Sequence, residues 1–532
     1  MADPSDSGPR LALGRGNVLP GPVAVALICF SAASLATACG ARTEPAAPHA
    51  AGAPDAAVPV DGGPRPRLDA GRADAGSPDA GRSATCERDV DCRGAGRCVA
   101  DAGRVGVDLE PVPLVCGLMD GLPDGDRCDA GAVCGRGLCV VAGTCVAPCV
   151  DDGDCAEAER CTEVFARTGP SALQPLRACV HAADVADGVR VTRTLRMGAL
   201  SGGVSPDRIT LAEEAGTLLL VLEPVRASGP VEVHHLATRD DPPVVLFDSF
   251  GLFPGTVFLN PVVPYTDVPT ALIPNGPLAV RSPLGYEMIL AARRASDLRI
   301  TSMSREGRGR TIDVDVFYVG GGSLSPAGDR GPPMVADAFT RLDGIYAPAG
   351  LAVGEVRQHE VVGGLRRRLG VIESDGDGRF PELGQLLSLS AGADGPSVPL
   401  FLVRSLDSAL GIAGGIPGAA GVHGTPASGV AIGVDLLGRP GLPEDLDLGR
   451  TMAHEMGHFL GLFHTTEVDG MVIEPLPDTP TCGFDRDADG DGILLPEECA
   501  GAGAMNLLFW AAAGEALSGD QRRVIVRVPI AY

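Results

Sequence analysis

Residues 454–464 read His454-Glu455-Met456-Gly457-His458-Phe459-Leu460-Gly461-Leu462-Phe463-His464. The spacing fits the pattern H-E-x-x-H-x-x-G-x-x-H. Residues four apart on a helix lie one above the other, so His454 and His458 can turn both imidazoles toward one metal ion. Gly461 can adopt a positive φ, end the helix and turn the chain back, which brings His464 to the same ion. Three of the nine histidines in the chain fall in this stretch, so chance is a poor explanation.

The chemistry expected at this motif is that of a catalytic zinc ion. Three protein ligands leave one coordination position for water, which distinguishes catalytic from structural zinc sites. Zinc lowers the pKa of such a water and polarises a carbonyl group. Glu455, next to the first ligand, is the expected general base that passes the proton to the leaving amine.

The motif and its flanks carry a resemblance to a known family. The run His454 to Thr465, followed by Asp478-Thr479-Pro480 and Cys482, resembles the pappalysin-like branch of the metzincin metalloproteases and its bacterial relatives. The resemblance covers roughly residues 310–532 and is specific from about residue 425 onward. It implies an α/β catalytic domain with the zinc helix between two subdomains, and endopeptidase activity on a protein or peptide substrate.

The same resemblance implies a methionine in a tight turn beneath the zinc ion. The relatives' pattern places Leu508, in Asn506-Leu507-Leu508-Phe509-Trp510, where the methionine usually lies. Met505 is the alternative, with the turn slipped. A leucine of similar volume should cost little at a position that packs under the metal without binding it.

A second metal is predicted in an acidic loop at residues 487–498. Carboxylates stand at places 1, 3, 5 and 12 of the calcium-loop pattern and Gly492 at place 6; these carboxylates belong to Asp487, Asp489, Asp491 and Glu498. Cys482 and Cys499 bracket the loop and predict a disulfide. A solvated acidic loop without Ca²⁺ is the alternative. Residues 373–378 form a second acidic stretch that matches the calcium-loop pattern less well.

Twelve of the 16 cysteines fall between Cys86 and Cys179. The spacing C-x5-C-x5-C-x17-C occurs twice, starting at Cys86 and at Cys149, with a shorter set of four between them. Even counts predict disulfides in an oxidising compartment. A zinc ribbon would need C-x2-C pairs, which are absent. The connectivity stays open, as does the role of the repeats as spacer, recruitment module or adhesion module.

The N-terminus has the pattern of a signal peptide. Arg10 and Arg15 precede an apolar run over residues 18–38, which ends at a lipobox-like Cys39. Lipidation of Cys39 would anchor a bacterial lipoprotein in the cell envelope, in the outer membrane; a soluble secreted protein and an uncleaved anchor are the alternatives. Residues 40–84, rich in Ala, Pro, Asp and Gly, are expected to form a disordered tether.

The remaining chain predicts a multidomain protein. A signal peptide (1–39), the tether (40–84) and a disulfide-rich repeat module (85–182) are followed by an all-β sandwich accessory domain (183–309), predicted from short strand-like runs between turns. Residues 310–532 alternate strand and helix, with helices at 333–346 and 448–462, and suit an α/β metzincin-like catalytic domain.

The charge of the chain limits the kinds of partner that it can bind. A formal charge of -25 and the absence of a basic face argue against nucleic acid. The membrane is expected to be met only through an N-terminal lipid anchor, and the oligomeric state is open. The competing function is a proteolytically inactive cell-surface binding or adhesion lipoprotein that keeps the metzincin scaffold.

Overall fold

The structure, a computed structural model, describes most of the chain from residue 85 to residue 532. The gaps lie at residues 93–95, 102–108, 120, 129–133, 170–171, 205–208, 212–216, 225–230, 244, 249–257, 260–269, 274–281, 321–323, 375–379, 408, 436–446, 471–473 and 475. The expected signal peptide, Cys39, the tether and most of the acidic stretch at 373–378 therefore lie outside the described residues.

The cysteine-rich segment forms two small antiparallel sheets. One pairs β1 with β2, and the other has the order β3-β4-β5. Their bounds are β1 Arg97–Ala100, β2 Leu114–Gly117, β3 Cys139–Val140, β4 Glu159–Gly169 and β5 Ala172–His181. Short 3-10 turns at Asp89–Asp91 and Asp152–Asp154 precede β1 and β4.

The disulfides divide this segment into three units with one pairing rule. In each unit the first cysteine bonds to the third and the second to the fourth. The bonds are Cys86–Cys98, Cys92–Cys116, Cys128–Cys139, Cys134–Cys145, Cys149–Cys161 and Cys155–Cys179. The disulfide prediction is confirmed, and the connectivity that the sequence left open is resolved.

The aspartates that recur in the first and third units have a structural role. Asp89 accepts a hydrogen bond from the backbone N–H of Cys98 at 2.8 Å, and Asp152 accepts one from Cys161 at 2.8 Å. Each carboxylate thus ties the turn before a strand to the third cysteine of its unit. The repeat in sequence is therefore a repeat in hydrogen bonding as well as in disulfides.

Where the structure describes it, the next segment consists of strands and loops, as predicted. Its described residues form eight strands, namely β6 Val189–Val204, β7 Ile209–Leu211, β8 Thr217–Pro224, β9 Val231–Thr238, β10 Val245–Asp248, β11 Phe258–Leu259, β12 Thr270–Ile273 and β13 Tyr286–Arg305.

The described strands of this segment join in one antiparallel sheet, which differs from the predicted sandwich of two stacked sheets. The physical reason is β13, which is 20 residues long. Its first half pairs with β7 and β9 and its second half with β8, while β6 runs along most of its length. One long strand therefore keeps both sets of partners in a single hydrogen-bonded sheet.

Residues from 311 onward form a mixed α/β unit. Its strands are β14 Thr311–Tyr318, β15 Ala352–Glu360, β16 Val371–Ile372, β17 Ser397–Val403, β18 Ser405–Leu406, β19 Gly411–Ala413 and β20 Val430–Gly433. Its helices are α1 Pro333–Tyr346, α2 Gly363–Leu369, α3 Leu383–Ser388, α4 Leu448–Phe459 and α5 Gly519–Ile525. The main sheet has the order β15-β14-β17-β20-β19, and all its strands are parallel except the edge strand β19.

The two faces of the main sheet enter different cores because side chains alternate along a strand. Val314 and Val316 of β14 pack in one hydrophobic cluster with Met452 and Phe459 of α4. This cluster also includes Met303 of β13, so the eight-stranded sheet contacts the same core.

The opposite face of the main sheet packs against the cysteine-rich segment. Phe317 and Phe401 stack with ring centroids 4.6 Å apart. Both belong to a buried cluster with Val164 and Leu173 of the β4–β5 hairpin. The segments that differ in composition therefore share their hydrophobic cores.

The described residues are thus rich in disulfides and form mixed sheets with few helices, consistent with a multidomain β protein. Its described part contains seven disulfides, which is compatible with an extracellular or secreted protein. Within the described ranges, none of the helices is both long enough and apolar enough to cross a membrane.

Candidate metal centre

Helix α4 presents the first two histidines of the motif. Asp447 caps its N-terminus by accepting a hydrogen bond from the Arg450 N–H at 2.8 Å. The helix ends at Phe459, three residues before the predicted end, because Gly461 has a φ of 106° and reverses the chain. The role predicted for Gly461 is confirmed, and the reversal brings His464 back to the helix.

The three imidazoles of His454, His458 and His464 meet at one point. The Nε2 atom of His454 lies 3.1 Å from that of His458 and 3.2 Å from that of His464. All three residues are buried, with at most 1% of their surface exposed. Polar ring nitrogens that face one another in a dry interior need a common partner.

Hydrogen bonds on the far side of each ring define the tautomer. Each Nδ1 atom faces an oxygen that only accepts, so Nδ1 carries the proton and Nε2 keeps its lone pair. The acceptors are the Leu507 carbonyl for His454 at 2.7 Å, the Leu462 carbonyl for His458 at 2.7 Å and the Glu467 carboxylate for His464 at 2.9 Å. Three lone pairs therefore point into one small space.

This donor set fits a metal ion. Nitrogens bound at about 2.0–2.1 Å to a tetrahedral zinc ion stand about 3.3–3.4 Å apart, close to the spacing observed. The ligand atoms of His454, His458 and His464 lie within 4.8 Å of one another. The group can hold a metal ion, and the acceptors behind the rings are the outer partners that metal-binding histidines usually have.

Burial and charge set the protonation of these ligands. Burial lowers the pKa of His454 to about 3, and burial together with the neighbouring imidazoles lowers the pKa of His458 well below its usual range. Burial also acts to lower the pKa of His464, but the Glu467 carboxylate outweighs it and raises that pKa. At neutral pH His454 and His458 are therefore neutral, as metal ligands must be.

Glu455 lies beside the histidine group with 1% of its surface exposed. Its negative charge contributes to the raised pKa of His464. Strand β19 passes close to this side chain: a Cβ atom added to Gly411 would lie 2.9 Å from the Glu455 carboxyl carbon. A glycine at position 411 thus makes room for the carboxylate.

The turn that follows the acidic loop lies under the histidine helix. Leu508 is fully buried, and a Cβ atom added to Gly457 of α4 would lie 3.3 Å from its Cδ2. Met505 is 70% exposed. Of the two residues predicted for this turn, Leu508 is the one that packs against the helix; Met505 lies on the surface.

The acidic loop at residues 487–498 is closed by its own carboxylates. Asp487 accepts hydrogen bonds from the N–H groups of Gly490 and Gly492 at 2.8 and 3.0 Å, and Glu498 accepts one from Ala488 at 2.7 Å. Asp489 and Asp491 accept from backbone N–H groups two residues ahead. The carboxylates at the four predicted places are thus gathered along one loop.

The predicted disulfide between Cys482 and Cys499 is present, with both cysteines fully buried. It lies in a small hydrophobic cluster with Leu494 and Trp510. The indole N–H of Trp510 donates to the Leu494 carbonyl at 2.7 Å, so the acidic loop is fastened to the turn that follows it.

Sequence reasoning missed the groups behind the histidine rings. Glu467 is one of them, three residues after His464, and that short spacing is a signal that could have indicated it. The Leu462 and Leu507 carbonyls carry no such signal, because any residue type supplies a backbone carbonyl.

Comparison with protein-family profiles gives no match, and comparison with curated proteins gives none either. Family and function therefore rest on the residues and their geometry.

Proposed function

We propose that this chain is a zinc-dependent endopeptidase of the metzincin type, from its pappalysin-like branch. One observation carries the proposal: three Nε2 atoms converge, each ring oriented by a hydrogen-bond acceptor behind it, with Glu455 beside them. Structural zinc sites are usually closed by four protein ligands, whereas three histidines leave a position for a reacting group.

The residues divide the chemistry among them. His454, His458 and His464 would hold the zinc ion, which supplies Lewis acidity for a scissile carbonyl and for an attacking water. Glu455 accepts the proton of that water and donates it to the leaving amine. Its burial keeps bulk water away, so its charge interacts strongly with nearby charge.

The setting of this activity follows from the disulfides. An oxidising compartment suits a substrate among extracellular or cell-surface proteins. We place the protein in the bacterial cell envelope, held by a lipid on Cys39, or secreted.

Ca²⁺ in the loop at residues 487–498 is part of the same proposal, as an ion that orders the segment between the histidine helix and the turn of Leu508.

The decisive experiment uses the full chain, produced with its disulfides formed. Zinc content is measured by elemental analysis, and cleavage is followed on casein and on a broad peptide library. Glu455→Gln should keep the zinc and lose cleavage by about 10²-fold or more, since a positioned general base contributes about 10²–10⁴-fold. Glu163→Gln, the same change on the exposed side of β4, is the matched control and should leave cleavage unchanged.

The outcomes separate the functions. One zinc ion per chain with cleavage abolished by Glu455→Gln and by a chelator supports the protease. Bound zinc without cleavage of any peptide would favour the binding or adhesion lipoprotein. A folded chain without stoichiometric zinc would overturn the metal centre itself.

A further inference from the structure

We propose that the side-chain amides of Asn506 and Gln521 form an outer support of the metal centre that positions His454. Among the described residues, neither side chain is hydrogen-bonded to a histidine of the group. They act through the peptide unit that accepts the His454 proton. The inference rests on the proposed function, because it assigns these residues a role in holding the zinc ligands.

The first step is a single peptide unit that joins Asn506 to His454. The carbonyl of Leu507 accepts the Nδ1 proton of His454 at 2.7 Å. The N–H of Leu508, which belongs to the same peptide unit, donates to Asn506 Oδ1 at 2.9 Å. A peptide unit is planar, with its C=O and N–H pointing in opposite directions. Fixing the N–H on Asn506 therefore fixes the direction of the carbonyl that orients the His454 ring.

The second step is the reciprocal bonding of the two amides. Asn506 Nδ2 donates to Gln521 Oε1 at 2.8 Å, and Gln521 Nε2 donates to Asn506 Oδ1 at 3.2 Å. Gln521 lies on α5, and the Ser518 N–H at the start of that helix donates to Gln521 Oε1 at 2.9 Å. The Asn506 side chain is thus fastened to a helix that is remote in sequence from the histidine motif.

The third step is that the neighbours permit only one orientation of each amide. The Ser518 N–H requires an oxygen at its position, so Gln521 must turn its NH₂ group toward Asn506 Oδ1 and toward the carboxyl group of Glu474 at 3.4 Å. The Leu508 N–H requires an oxygen on Asn506 in the same way. No donor faces a donor in this arrangement, so a flip of the Asn506 amide would break three hydrogen bonds and a flip of the Gln521 amide four.

Burial makes the support hard to replace. Asn506 is 5% exposed and Gln521 is fully buried. Water cannot readily take over a hydrogen bond lost there, and an amide left without its partner is costly in such a place. We therefore expect the Leu507 carbonyl to drift when Gln521 is removed, and His454 with it.

The test measures zinc affinity, not cleavage, on the full chain. Gln521→Leu keeps the volume and removes both hydrogen bonds to Asn506. Gln174→Leu is the matched control, because Gln174 is also a buried glutamine (1% exposed) whose amide donates to the Glu110 carbonyl, in the cysteine-rich segment. Zinc dissociation constants are read by competition with a chelator, and the visible spectrum of the Co²⁺-loaded protein reports the ligand geometry.

We expect Gln521→Leu to weaken zinc binding about 10-fold, the low end of the range for outer-shell changes, and to alter the Co²⁺ spectrum. Gln174→Leu should match the wild type in both. Equal zinc affinity and equal spectra in Gln521→Leu and wild type would overturn the inference while leaving the protease intact. Absence of zinc binding by the wild type would instead overturn the proposed function.

A second variant guards against loss of the fold. Gln521→Glu keeps an acceptor for the Ser518 N–H and for Asn506 Nδ2, but places an oxygen against Asn506 Oδ1. If Gln521→Leu does not fold, Gln521→Glu should show the same loss of zinc affinity. Wild-type affinity in this variant would also refute the positioning role.

Discussion

Replacing Gly411 with alanine should impair catalysis while the metal centre stays loaded. Gly411 lies on the edge strand β19, and a Cβ atom there would clash with Cγ of Glu455 and lie 2.9 Å from its carboxyl carbon. The same atom would lie 2.9 Å from Cδ1 of Ile432, on the neighbouring strand. The Glu455 side chain has to move, because the new methyl group stands between two packed elements.

The size of that movement follows from contact distances. Non-bonded carbons pack at about 3.5–4.0 Å, and the added Cβ lies closer still to Cγ of Glu455, so the Glu455 side chain must shift by about 1 Å or more. A misplacement of about 1 Å can cost about 10²-fold in rate, equivalent to about 2.7 kcal/mol of activation free energy. The three histidines make their hydrogen bonds elsewhere, so zinc content should be unchanged.

The assay compares kcat/KM, zinc content and thermal stability in two variants. Gly354→Ala is the matched control, because Gly354 lies on β15, the opposite edge strand of the same sheet. A Cβ atom added there would lie 2.9 Å from the Tyr532 hydroxyl. Gly354→Ala should lose stability but keep its activity per folded molecule. A folded, zinc-loaded Gly411→Ala with wild-type kcat/KM would refute the role of Glu455 in this position.

Two further predictions concern stability and calcium. Asp315 is fully buried and accepts hydrogen bonds from His359 at 2.7 Å and Arg357 at 2.9 Å, so Asp315→Asn should lower the free energy of unfolding by about 3 kcal/mol in urea titrations at pH 7. Burial alone would raise the pKa of Asp315, but these partners hold that pKa below its usual range. The difference in unfolding free energy between wild type and Asp315→Asn should therefore be present above about pH 4 and fade as the pH falls below it. A constant difference down to about pH 2 would contradict this. Ca²⁺ should shift the fluorescence emission of Trp510, the only tryptophan, because Trp510 is hydrogen-bonded to the acidic loop. At a hundredfold excess over Kd it should also raise the free energy of unfolding by about 2.7 kcal/mol. Identical emission and melting temperature in Ca²⁺ and in chelator would instead support the solvated loop without Ca²⁺.

Local patterns in the sequence were enough to predict the elements that hold the site. The i, i+4 spacing of His454 and His458 and the glycine at 461 predict a helix and the convergence of three rings, and the structure has both, although the helix ends at Phe459, three residues before its predicted end. The helix α1 occupies the residues predicted for it. Periodicity and φ preferences act over one or two turns of chain, which is why such features can be predicted.

Features that depend on distant packing could not be predicted. The identical spacing of the first and third cysteine units allows several pairings, and only the fold of each unit selects the one observed. The approach of Gly411 to Glu455 and the bond between Asn506 and Gln521 join segments 44 and 15 residues apart. No local periodicity carries information about such contacts, because they depend on how the elements pack.

The packing of Phe317 and Phe401 on the β4–β5 hairpin has a consequence for the order in which the protein is made. A chain that emerges N-terminus first delivers the three cysteine units before the main sheet exists. Their oxidation then prepares the apolar surface on which that sheet assembles, and each large apolar side chain buried there contributes about 1.5–3 kcal/mol. We therefore expect thiol oxidation in the repeats to precede assembly of the histidine cluster, so that loss of a cysteine from the repeats would reduce the yield of folded protein.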